Sequence, residues 1–101
     1  MIMKAKPKFE PGQICATPGA LEAMNTAEQT PMEFIGRHLY GDWGEVCADD
    51  QQANEEALDH GLRLLSAYRT KTGVKLWVIT EADRSITNVE IHISYVMLSV
   101  Q

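Results

Sequence analysis

Cysteine is scarce. Cys15 and Cys47 are the only two in 101 residues and form no CxxC pair, so neither a disulfide framework nor a zinc ribbon is expected. No run approaches the ~20 apolar residues of a membrane-spanning helix. Residues 1–8 also lack the apolar stretch and small-residue cleavage site of a secretory signal, which leaves a cytoplasmic domain with no membrane partner as the expectation. The glycine-rich loops GxGxxG and GxxxxGK[ST] are missing, and with them the usual cradle for nucleoside phosphates. Among His38, Asp42, His60 and His92 no pair shows the His-x₃-His or HExxH spacing of a metal site, so no metal or other cofactor is expected.

What is present suits one domain. With 45% apolar and 23% charged residues, a chain of this length buries roughly 60–70% of its unfolded surface, enough for a modest core without staples. The net charge of −5 comes from 9 basic and 14 acidic residues, unevenly spread. Lys4, Lys6 and Lys8 crowd one end, whereas no lysine or arginine occurs between Arg37 and Arg63. That gap holds Asp42, Glu45, Asp49, Asp50, Glu55, Glu56 and Asp59. Such a patch repels a phosphate backbone and attracts a basic protein surface, because long-range fields bias encounter. These seven carboxylates are the candidate protein-binding residues, and direct nucleic-acid binding is disfavoured.

Residues 1–16, with Pro7, Pro11 and Gly12, read as an extended arm, and 17–101 as a single α+β domain. Thr17-Pro18 is an N-cap followed by proline at the first helical position, which predicts a helix over about 18–25. Thr30-Pro31-Met32-Glu33 reads as a capping box opening a helix over 31–40 that Gly41 ends. After the glycine-flanked corner Gly41-Asp42-Trp43-Gly44, a third helix should start from an Asp49 or Asp50 cap and stop at Gly61. From Leu62 the period becomes two. Strands are expected from Leu62 to Arg69, from Val74 to Glu81 after a Thr72-Gly73 turn, and from Asn88 to Tyr95. Helices first and strands after give two or three N-terminal helices packed on one face of a three-stranded antiparallel meander. The β-prone tail Val96–Val100 suggests a homodimer through the C-terminal strand edge.

His38 and Asp42 stand four apart, the spacing at which a carboxylate orients an imidazole for acid–base work. Thr80-Glu81-Ala82-Asp83-Arg84-Ser85 forms a polar corner. In one reading Asp83 caps the turn and Arg84 pairs with Glu81; in another, Arg84, Ser85 and Thr87 make an anion pocket beside His38.

The strings TPGALEAM (17–24), RHLYGDWGEV (37–46), NEEAL (54–58), GLRLLSAY (61–68) and LWVITEADRSIT (76–87) resemble a family of short, uncharacterised bacterial proteins carried on plasmids and integrated mobile elements. The likeness covers about residues 12–87, and the segment from Asn88 to Tyr95 departs from the family's usual ending. It implies a genomic setting rather than a mechanism. Two functions follow as expectations. The first is a non-catalytic protein-binding module of a mobile element, its acidic face engaging a basic host surface and so countering a nucleic-acid-handling or defence protein of the restriction or CRISPR kind. The alternative is a small metal-independent ribonuclease of the barnase-like or RelE-like kind. There His38 would move the proton, Arg84 would stabilise the phosphorane, and Ser85 or Thr87 would position the phosphate. That chemistry requires His38, Arg84 and Ser85 to converge in an open pocket.

Overall fold

A computed structural model describes residues 6–92. The fold is α+β, with three helices and a four-stranded mixed sheet. The elements run β1 (Gln13–Ala16), α1 (Pro18–Thr26), α2 (Pro31–Leu39), α3 (Ala48–His60), β2 (Leu64–Arg69), β3 (Lys75–Thr80) and β4 (Ile86–Ile91). The sheet order is β1-β4-β3-β2. β2, β3 and β4 pair antiparallel as the alternation predicts, Ser66 facing Val78 and Val78 facing Val89.

The pure meander is corrected by β1. Part of the expected arm pairs parallel with β4, Gln13 to Ile86 and Ala16 to Val89. Gly12 permits this close approach, since at φ +65° a Cβ would fall 2.3 Å from the Ser85 carbonyl oxygen. Flanked on both sides by β1 and β3, β4 has no free edge over Ile86–Val89 for strand pairing with a second copy. The expected continuation of the last strand to Tyr95 and the 96–100 dimer edge fall outside the described residues.

The helix ends show which local signals hold. The Thr17 hydroxyl accepts from the Ala20 N–H at 3.2 Å, as its N-cap role predicts. The capping box at Thr30 does not form: the Thr30 side chain caps nothing, and the Glu33 carboxylate accepts instead from the Gln29 amide at 2.9 Å. α3 starts from Cys47 rather than from an aspartate, and ends at Gly61 with φ +65°. β4 begins two residues before the expected start at Asn88.

Alternate strand residues are buried. Tyr68, Leu76, Val78 and Val89 form one cluster with Ala20 and Met24 of α1 and Phe34, Ile35 and Leu39 of α2. Trp43, Ala57 and Leu64 form a second, and Phe9 of the arm packs against both. The outer edge of β2 is covered. Gly44 bridges to Ala67, with the Ala67 N–H donating to the Trp43 carbonyl and the Glu45 N–H donating to the Ala67 carbonyl. Two positions along, the Asn54 side chain donates to the Leu65 carbonyl at 2.7 Å and accepts from its N–H at 3.0 Å. An amide thereby stands in for a neighbouring strand, which keeps that edge from pairing with another chain.

Candidate functional site

His38 lies in the last turn of α2, on its buried side, and is completely inaccessible to solvent. Its partners come from the sheet. Nδ1 is 2.5 Å from the Ser66 hydroxyl on β2, and Nε2 is 2.9 Å from the Thr80 hydroxyl on β3. The chain continues from Thr80 to the Thr87 hydroxyl at 2.7 Å and from Thr87 to the Pro11 carbonyl at 2.7 Å. Ser66, Thr80 and Thr87 are as inaccessible as the ring.

The far end of this chain fixes the direction of every bond in it. A carbonyl oxygen only accepts, so Thr87 spends its single proton on Pro11. Thr80 must then donate to Thr87 and His38 Nε2–H must donate to Thr80, so in a neutral ring the bare Nδ1 accepts from Ser66. A neutral imidazole is therefore held in one tautomer, with its proton on Nε2. Burial keeps the ring neutral: desolvation, with the Arg84 charge adding to it, lowers the His38 pKa from 6.5 to about 4.

A serine hydroxyl donating to an imidazole is the arrangement of an activated nucleophile. Here the pair is sealed, and no reacting atom reaches it without the cover moving. That cover is the N-terminal segment. The Phe9 ring meets His38 edge-on at 5.2 Å and stacks on Trp43 at 6.5 Å, while the Arg84 guanidinium lies over it at 5.7 Å.

The remaining predicted residues are drawn elsewhere. Asp42 does not orient His38; it accepts from Arg37 Nε at 2.6 Å, and that bond holds its carboxyl below the usual range. Arg84 does not pair with the Glu81 carboxylate, which faces Arg63 at 3.6 Å. Instead Arg84 Nη1 donates to the carbonyls of Leu62, Glu81 and Ala82, and Nη2 to that of Ala57. Arg84 thus caps the C-terminal end of α3 from across the fold, where a cation also suits the helix dipole. Its own backbone sits at φ +60°, a conformation that these bonds offset. Ser85 is exposed, its N–H donating to the Asp83 carboxylate at 3.0 Å, the turn cap that the sequence predicts. Of the four residues named for the ribonuclease alternative, His38 and Thr87 are joined through Thr80, while Arg84 and Ser85 lie outside that chain.

The acidic residues divide by role. Asp42 pairs with Arg37 and Glu45 with Arg69 at 3.1 Å. Glu55 accepts the Trp43 indole N–H at 2.9 Å, which gives that buried ring its polar partner. Asp49, Asp50, Glu56 and Asp59 are exposed on α3 and have no ion-pair partner among the described residues. On the sheet face away from His38, Arg63, Leu65, Trp77 and Ile79 line a shallow cavity of about 230 Å³, which contains no acid–base pair. Among the described residues no cluster of His, Cys, Asp and Glu has the geometry to hold a metal ion. No helix there is long and apolar enough to cross a membrane.

Sequence reasoning missed Ser66 and Thr80 as partners of His38. The available signal was polar residues at inward positions of otherwise apolar alternating strands, which must find a buried partner. No family model, curated protein or solved structure matches the chain.

Proposed function

We propose that the chain is a non-catalytic protein-binding module that engages a basic partner surface through α3. One observation carries this reading: Asp49, Asp50, Glu56 and Asp59 face solvent on a single helix with no ion-pair partner among the described residues. Unneutralised carboxylates on one element create a local negative field that steers a cationic surface and repels nucleic acid. The genomic setting implied by the family resemblance suits a host protein as partner, one whose basic surface normally handles nucleic acid. The sealed, neutral His38 supports a binding role over catalysis, and the ribonuclease alternative draws no support from its geometry.

The test uses an arginine- and lysine-rich peptide as probe. Reversing Glu56 and Asp59 to lysine should slow its association at low salt and flatten the salt dependence, since steering acts mainly on the on-rate. Glu55 is left intact because it holds Trp43. Equal on-rates for the wild type and the reversed variant at low salt would refute the reading.

A further inference from the structure

Residues Lys8–Pro11 are held in the way a bound peptide is held. The Lys8 N–H donates to the Leu39 carbonyl at 2.8 Å, the Phe9 ring enters a cage walled by His38, Trp43 and Arg84, and the Pro11 carbonyl accepts from Thr87. Glu10, between the ring and the proline, is exposed and makes no hydrogen bond or ion pair among the described residues. The pattern is an aromatic anchor, a spacer facing solvent, and a prolyl carbonyl as second anchor. Proline also holds the residue before it in an extended conformation, so such a segment loses little freedom on docking.

Every wall of the cage is held in place by direct bonds to residues outside the segment. His38 is fixed by Ser66 and Thr80, Trp43 by Glu55, and Arg84 by four carbonyls. A receptor whose walls stand without its occupant is what an exchangeable ligand requires. We propose that this groove is a peptide-recognition site, that Lys8–Pro11 is its resident occupant, and that an extended segment of the form aromatic–x–Pro from a partner protein displaces it. The proposal goes beyond the acidic-face reading and uses none of the four free carboxylates of α3.

A tethered occupant competes at an effective concentration of the order of millimolar, so a free peptide should bind the wild type weakly and a chain lacking the anchor more tightly. The probe is the synthetic heptapeptide of residues 6–12, Lys-Pro-Lys-Phe-Glu-Pro-Gly, titrated into full-length Phe9→Ala. Binding is followed through the Trp43 indole N–H resonance. The expected result is binding at least tenfold tighter than to the wild type, and a loss of tenfold or more when the peptide phenylalanine is replaced by alanine. If Phe9→Ala does not fold, the wild-type chain at millimolar peptide serves in its place, and the same indole resonance should shift with the phenylalanine peptide alone. An unmoved Trp43 resonance in the folded protein would overturn the proposal, as would equal response to both peptides. Dimers formed by exchange of the segment between copies, with no response to the peptide, would also overturn it.

Discussion

The strongest consequence of the buried imidazole is a stability that depends on its charge. His38 is neutral in the folded protein because its burial, with the Arg84 charge, disfavours the imidazolium. In the unfolded chain it regains an ordinary pKa near 6.5, against about 4 when folded. Between those values the unfolded state binds more protons, so unfolding becomes easier as the pH falls. The full stability is present above about pH 6.5 and is lost progressively down to about pH 4. At 1.36 kcal/mol per pKa unit the loss reaches about 3 kcal/mol, a large fraction of the stability of a domain this size. Urea unfolding at a series of pH values from 7.5 to 4.5 measures the slope directly. His38→Gln is the matched variant, since its amide offers a donor group and an acceptor group and does not titrate. Carboxylates contribute equally in both proteins, so the difference in slope belongs to His38. The wild type should lose stability faster than His38→Gln between pH 6.5 and 4.5, and parallel slopes would refute the reasoning.

Other substitutions test the surrounding framework. Trp43→Ala removes a nearly inaccessible indole and strands the Glu55 carboxylate; urea titration should show a loss of about 3–5 kcal/mol. Arg84→Ala removes the guanidinium from the carbonyls of Ala57, Leu62, Glu81 and Ala82, of which Ala57 and Glu81 keep a backbone donor, for a loss of about 2–3 kcal/mol. Arg84→Gly should be milder than Arg84→Ala by about 1 kcal/mol, because glycine adopts φ +60° without strain; equal losses would mean that the backbone conformation stores no energy.

Where the sequence was legible, the information was local. The Thr17-Pro18 start, the Gly61 stop and the Thr72-Gly73 turn each depend on a few adjacent residues, and each is realised with the expected geometry. β1 was illegible because the four residues Gln13–Ala16 carry no period, and because parallel pairing to β4 joins segments far apart in the chain. His38 could be singled out as a polar residue on an apolar helix face. Its partners could not, since Ser66 and Thr80 are 28 and 42 positions away and only the register of β2 and β3 brings them to one ring. Arg84 was misassigned for a related reason. A charged residue in a turn suggests an exposed pair or an anion site, and only the fold shows the end of α3 lying within its reach.

The central claim, that His38 is a closed and neutral structural residue whose tautomer is set by the Pro11 carbonyl, is tested most directly by nitrogen-15 NMR of the imidazole as a function of pH. A proton on Nε2, a bare Nδ1 and no titration until about pH 4 is the predicted result. A proton resident on Nδ1, or an imidazolium at pH 6, would contradict it.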